Sequence, residues 1–212
     1  MRLWDAETGR EIHNFNNYTA GVHGVAFSPD SRWLASGWGD GIVRIWDAND
    51  PASKSRDLSG HTGGVERVVF LPDGRLASAG GRSATGGRSG FGEVKIWDLA
   101  TGRVLLDLRG HTGMVEGLAC SPDGRRLATG GDDRTVKLWD TTTGEEVFTL
   151  RGHTAGVLCV AFSPDGQRIA SGGWDRTGRV WDTSPPASHA LLRHGAESRF
   201  GLAELPVEPF AR

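Results

Sequence analysis

The dipeptide Trp-Asp occurs at positions 4, 46, 97, 139 and 181, at intervals of 42, 51, 42 and 42 residues. A pair that returns on a nearly fixed period constrains the architecture before any local propensity is read, because each copy must build the same supersecondary unit. One clear copy runs from Gly152 to Asp182. It opens on Gly-His, passes an apolar run ending in Ser-Pro-Asp-Gly and a second run ending in Ser-Gly-Gly, and closes on Trp-Asp. Earlier copies lie at 110–140, 60–98 and 17–47, and a partial one opens the chain at Leu3-Trp4-Asp5. Short apolar runs bounded by Asp and Gly read as strands joined by tight turns. The 32 glycines suit that reading, since such turns need left-handed backbone.

Several features keep register inside the copies. Asp133, Thr129 and His111 stand six, ten and twenty-eight residues before Trp139, and Asp175, Ser171 and His153 stand at the same distances before Trp181. In this the chain resembles the WD40 family of β-propellers, over most of its length. The resemblance implies an all-β fold of four-stranded antiparallel blades around a channel, used mainly to hold protein partners.

About four complete blades and a half blade are expected, forming an incomplete or open ring. Residues 1–16 supply the third and fourth strands of a partial blade. Complete blades follow at 17–60, 61–110, 111–152 and 153–193, with 188–193 as the outer strand of the last. Residues 194–212 read as an irregular tail or as the decayed strand of a next blade, since 199–206 aligns with 157–164 apart from Glu204 in place of Phe162. The third blade is interrupted by 82–92, a Gly- and Ser-rich stretch that reads as a flexible loop. An open arc exposes an inter-blade face at each end. If each hides several hundred Å² of apolar surface, the forgone burial is about 10 kcal/mol per face, comparable with the stability of a whole domain. Self-association through the open terminal blades, or completion by further sequence, is therefore expected.

Composition narrows the function classes. The net charge is −2, from 24 basic and 26 acidic residues, which argues against a broad nucleic-acid or membrane footprint. No apolar run is long enough to span a bilayer, and the opening MRLWDAETG lacks the core of a secretory signal, so a cytoplasmic location is expected. Cys120 and Cys159 lie in apolar runs without metal or redox spacing and are expected to be buried thiols. No phosphate loop, nucleophile elbow or helical zinc-protease motif is present.

The resemblance implies that the His, Ser/Thr, Asp and Trp positions form one hydrogen-bonded chain inside each blade: His111, Thr129, Asp133 and Trp139, then His153, Ser171, Asp175 and Trp181. Buried imidazole, hydroxyl, carboxylate and indole each need a partner, and in series they satisfy one another. Ser, His and Asp together also invite a triad reading. A set that recurs in copies and ends each time on tryptophan is structural, so no catalytic residue is assigned and an enzyme is not expected. Two copies depart from the pattern. Tyr18 replaces the histidine before Ser36, Asp40 and Trp46. His61, Ser78 and Trp97 keep their places, but the insertion leaves no Asp at the expected distance. Both chains are expected to be broken and both blades weaker, with substitution at Ser36 costing less than at His111 or Asp133.

The resemblance also implies a partner-binding rim. It carries Gly21, His23 and Gly39; Gly64 and Glu66; Met114, Glu116 and Asp132; Gly156, Leu158 and Trp174. Apolar and aromatic anchors among Glu66, Glu116 and Asp132 suit a protein or a basic peptide. Trp38 falls in the turn after a second strand, where it joins Trp174 on the rim or packs over a loop, and Trp33 lies near the opposite rim. His23, Glu66 and Glu116, at equivalent positions of successive blades, offer an imidazole and two carboxylates as a candidate metal set. No spacing motif supports it, and no metal or other cofactor is expected. The alternative to an interaction scaffold is a fragment or degraded segment of a longer regulatory protein, with no independent activity.

Overall fold

The repeat period becomes a succession of antiparallel sheets. The computed structural model describes residues 1–15, 19–81 and 91–183. A two-stranded sheet opens the chain, from β1 (Arg2–Trp4) and β2 (Glu11–Asn14). Three four-stranded sheets follow, each in simple meander order. The first contains β3 (Val22–Phe27), β4 (Trp33–Trp38), β5 (Ile42–Asp47) and β6 (Arg56–Ser59). The second contains β7 (Gly64–Phe70), β8 (Leu76–Gly81), β9 (Gly92–Asp98) and β10 (Arg103–Leu108). The third contains β11 (Val115–Cys120), β12 (Arg126–Gly131), β13 (Thr135–Asp140) and β14 (Glu146–Arg151). The last described sheet has three strands, β15 (Val157–Phe162), β16 (Arg168–Gly173) and β17 (Gly178–Asp182). Among the described residues there is no helix, and so none long and apolar enough to cross a membrane. The insertion at 82–90 and everything after Thr183, including the expected strands at 188–193 and 199–206, lie outside the described residues.

Each strand exposes its two sides to two different neighbours, so alternation along the strand assigns side chains to opposite inter-blade faces. One face of β11–β14 carries Val115, Leu127 and Trp139, which pack on Ala77, Ala79, Val94, Ile96 and Leu108 of the sheet before. The other face carries Ala128, Val136, Leu138 and Leu150, which meet Val157, Ile169 and Trp181 of the sheet after. Ala35, Val43, Ile45 and Leu58 meet Val65, Val68, Phe70 and Trp97 in the same way. Small residues on one face and large ones on the next interlock, so the core is a series of layers between blades. At the chain's start the half blade adds Leu3 and Phe15 over Leu34, Trp38 and Trp46.

The tight turns fall where Asp and Gly predicted them. Gly74, Gly124 and Gly166 have φ of 86°, 73° and 70°, and Ser31 takes the equivalent place with φ of 58°.

Two burial expectations are corrected. Cys159 is exposed and Cys120 only half-buried. Cys159 stands where β3 has Gly24 and β11 has Gly117. A Cβ on Gly24 would lie 2.7 Å from the Glu66 carbonyl oxygen, and one on Gly117 would lie 3.2 Å from Cys159 Cα. At these two positions the next inner strand approaches closely, although β7 carries Arg67 at the equivalent place. No described strand lies beyond β15, so a side chain fits and stays in solvent. Burial pushes the Cys120 thiol up to about 11, which keeps it protonated and inert. Trp38 is the second correction: it ends β4 rather than lying in a turn, and it is only 1% exposed.

Candidate functional site

The hydrogen-bonded chains set the position of the rim. In the β11–β14 blade, Trp139 Nε1–H donates to Thr129 Oγ1 at 2.8 Å. Thr129 Oγ1 lies 2.7 Å from His111 Nε2, and His111 Nδ1 lies 2.8 Å from Asp133 Oδ2. Carboxylate only accepts, so Nδ1–H donates to Asp133; with the imidazole neutral the hydroxyl then donates to Nε2, and its other acceptor within reach is the Lys137 carbonyl at 3.3 Å. Asp133 also takes the Thr112 amide at 3.0 Å, which clamps the Gly-His loop to the turn before β13. Burial alone raises this carboxyl, but the His111 hydrogen bond and charge, with Thr135 and Thr112, hold it far below the usual range. The next blade repeats the set: Trp181 to Ser171 at 2.8 Å, Ser171 to His153 at 2.8 Å and His153 to Asp175 at 2.8 Å. Burial is again overcome at Asp175, by the Thr154 amide, Thr177 and His153.

Of the two departing blades, the β7–β10 blade keeps a complete chain, whereas in the β3–β6 blade no imidazole among the described residues joins Ser36 to Asp40. In the β7–β10 blade His61 Nε2 lies 2.6 Å from Ser78 Oγ, and Trp97 donates to the same oxygen at 2.7 Å. The carboxylate comes from Glu93, four residues before Trp97, where Thr135 and Thr177 precede the other tryptophans. Glu93 Oε2 reaches His61 Nδ1 at 3.1 Å and the Thr62 amide at 2.8 Å, and Oε1 takes the Thr62 hydroxyl at 2.6 Å. Its longer side chain spans from β9 what Asp133 spans from the turn. Burial opposes ionisation, yet the bonds from His61 and Thr62 draw the Glu93 carboxyl from 4.5 to about 2.

In the β3–β6 blade a second tryptophan takes the histidine's place. Trp38 Nε1–H and Trp46 Nε1–H both donate to Ser36 Oγ, at 2.8 and 2.9 Å, and the hydroxyl passes its proton to the Arg44 carbonyl at 3.3 Å. Trp38 pairs with Val22 as Gly131 pairs with Val115. A Cβ on Gly131 would lie 2.6 Å from His111 Nδ1, so a side chain is admissible there only where no imidazole stands. Asp40 turns instead to Arg44, at 2.8 and 3.2 Å, and that guanidinium lies 4.8 Å from the Trp38 ring centroid. Ser36 thus satisfies two buried donors, a role that counting from Trp46 does not reveal.

Above these chains each inner strand carries one extra residue. Pairing shifts between Val22 and Gly24, Val65 and Arg67, Val115 and Gly117, and Val157 and Cys159. The unpaired residues are His23, Glu66, Glu116 and Leu158, four of the expected rim positions. A bulge of this kind breaks the alternation and re-aims a side chain. His23 Nδ1 meets Glu66 Oε2 at 2.7 Å across two blades. A Cβ on Gly39 would lie 3.4 Å from His23 Nε2, and Gly64 lies against Gly39. These residues form one group.

A second group lies between the last two blades. Asp132 donates its amide to the Met114 carbonyl at 2.9 Å, and Trp174 donates its own to Gly156 at 2.8 Å. A Cβ on Gly156 would lie 2.6 Å from Asp132 Oδ1 and 3.5 Å from Trp174 Cδ1. Trp174 is 53% exposed, while Met114, Glu116, Asp132 and Leu158 are half-buried. Trp38 is not part of either group. Among the described residues no three His, Cys, Asp or Glu side chains are placed to hold a metal ion; His23 and Glu66 pair without Glu116 as a third ligand.

The sequence model described as WD domain, G-beta repeat matches residues 9–47, 52–86, 102–140 and 144–182, more than half of the chain. The chain belongs to the WD40 family. Three of the WD40 windows begin just before an outer strand, β2, β10 or β14, and all but 52–86 close on a Trp-Asp pair. The serine-threonine kinase receptor-associated protein of Homo sapiens is 36% identical over 61 residues, which is 29% of this chain and 17% of that protein. The nuclear distribution protein PAC1 of Arthroderma benhamiae is 38% identical over 56 residues, 26% of this chain and 12% of that protein. The WD repeat and SOCS box-containing protein 1 of Xenopus tropicalis is 34% identical over 62 residues, 29% and 15%. In each case the match covers less than a fifth of the relative's length.

Proposed function

We propose that this WD40 chain is a non-enzymatic scaffold, cytoplasmic in location, that holds a protein or peptide on the rim of its blades. The observation that carries this is the exposed Trp174 indole beside Asp132, with Met114 and Leu158 at their flanks. A half-exposed aromatic next to a carboxylate offers an apolar anchor and a charge partner together. The preferred segment is therefore basic with an aliphatic or aromatic residue. Glu66 is already engaged by His23, which leaves the group between the last two blades as the main site. The name of one relative describes association with a kinase receptor, in keeping with a docking role.

The test is a peptide array of Lys- and Arg-rich sequences containing one aliphatic or aromatic residue, followed by anisotropy titration of the best binder. Trp174→Ala is expected to weaken binding by about thirtyfold, a loss of about 2 kcal/mol. Binding that survives both Trp174→Ala and Asp132→Asn contradicts the reading.

Exposed apolar residues on the last described sheet, Ala161, Ala170 and Val180, favour a second reading. Here the chain acts as a segment of a longer WD40 regulatory protein, or self-associates through that face, and the purified chain alone has no independent activity. Concentration-dependent sedimentation abolished by Val180→Asp distinguishes it.

A further inference from the structure

In the last two described sheets the turn between the second and third strands holds a left-handed residue that is not glycine. Arg134 has φ of 68° and Arg176 has φ of 64°, where the β3–β6 blade places Gly41 with φ of 81°. A side chain in this region carries a conformational cost that glycine avoids, so the turn itself gives no reason for arginine. Both residues are exposed, and among the described residues neither guanidinium has a hydrogen bond or an ion pair.

Arg151 joins them. It ends β14 paired with Thr135, the residue after Arg134. The chain then crosses to the next blade, where the Thr154 amide donates to Asp175, the residue before Arg176, at 2.9 Å. Arg151 therefore stands between the two turns, exposed and likewise unpaired among the described residues. The acids of the same turns face inward. Asp133 and Asp175 are spent on His111 and His153, and their side chains are only 9% and 4% exposed. Asp132 lies toward the inner strand, its amide on the Met114 carbonyl. Solvent thus meets three guanidiniums along the outer margin of these two blades. The β7–β10 blade differs, because Arg109, at the place of Arg151, is held by Asp107 at 2.6 and 3.0 Å.

We propose that this margin binds an acidic segment of a partner protein, whose Glu or Asp carboxylates pair with Arg134, Arg151 and Arg176. A guanidinium presents a rigid fork of donors that matches a carboxylate. The three stand free to make that pair, since no acid of this chain takes them. A short acidic run suits three cations on a chain of net charge −2, whereas a nucleic-acid backbone calls for a broad basic face. The margin adjoins the Trp174 group but does not rest on it.

The probe is a capped hexaglutamate peptide titrated into the full chain, followed by NMR of the arginine Nε–H signals. Saturable shifts are expected at Arg134, Arg151 and Arg176. Arg32, Arg103 and Arg125, exposed at the opposite ends of the strands, are expected to stay in place. Arg134→Gly combined with Arg176→Gly is expected to weaken binding about tenfold, from two exposed ion pairs at about threefold each. The same variant is expected to raise the urea midpoint, since glycine suits both turns, so the loss of binding is not a loss of fold. Arg151→Gln, which leaves the turns untouched, is expected to weaken binding about threefold. Trp174→Ala reads the rim proposal and the arginine variants read this one, so either can fail alone. The proposal is overturned by the absence of saturable shifts, by equal shifts at all six arginines, or by affinity indifferent to both sets of variants. A lower midpoint in the double variant, or a deoxythymidine oligonucleotide bound as tightly as hexaglutamate, also overturns it.

Discussion

Replacing Trp38 by alanine is expected to destabilise the chain by about 3–5 kcal/mol, the usual cost of emptying a buried tryptophan site. The side chain is fully enclosed, so its removal leaves a cavity against Leu34 and Trp46. It also deprives Ser36 of a donor and Arg44 of the ring on which its guanidinium rests. The same change at Trp174 is expected to shift stability by less than about 0.5 kcal/mol, since an exposed side chain away from such features contributes little. Urea denaturation of the two variants checks the contrast. A rescue makes the test specific. Tyr18 stands twenty-eight residues before Trp46, where the other blades place histidine. Trp38→Gly combined with Tyr18→His restores the pattern of the β11–β14 blade, and is expected to be more stable than Trp38→Gly alone.

Glu93→Ala is expected to cost about 1–3 kcal/mol, because it strands the His61 imidazole and the Thr62 amide without an acceptor. This equals the loss expected for Asp133→Ala in the neighbouring blade. Phe91→Ala, at the position six before Trp97 where the family pattern expects Asp, is expected to change stability little, since Phe91 is exposed. Acid titration adds a second signature. The folded Glu93 carboxyl sits at about 2 against an ordinary 4.5, so the unfolded chain binds the proton first. Its contribution is fully present above pH 4.5 and is lost as the pH falls toward 2. Glu93→Gln, which keeps one acceptor and removes the titration, is expected to flatten the stability profile across that window.

The blades were legible in the sequence because their signals are local and repeated. The Trp-Asp period, the Asp-Gly turns and the chains at His111 and His153 each require only counting. Glu93 and Trp38 were missed for a physical reason. Counting assigns a role to a position, whereas a hydrogen bond needs only an atom within reach. A glutamate on β9 reaches the imidazole that an aspartate in the preceding turn reaches elsewhere. The signal was nonetheless present, as an acidic residue in the place of Thr135 and Thr177. For Trp38 it was a bulky residue at a Gly131 position in the same copy that lacks histidine. The rim positions rest on family pattern alone, and the one extra residue in each inner strand has no sequence signature short of the pairing itself. Cys159 was misjudged because its strand looks apolar, while burial depends on whether another strand lies beyond it.

The central claim is that each described blade from β3 onward is locked by one hydroxyl taking buried indole N–H groups. Hydrogen exchange of the indole N–H signals, followed by NMR on ¹⁵N-labelled protein, tests this most directly. Trp38, Trp46, Trp97, Trp139 and Trp181 are expected to exchange slowly, and Trp4 fast. Exchange of Trp38 or Trp97 at the rate of Trp4 contradicts the account.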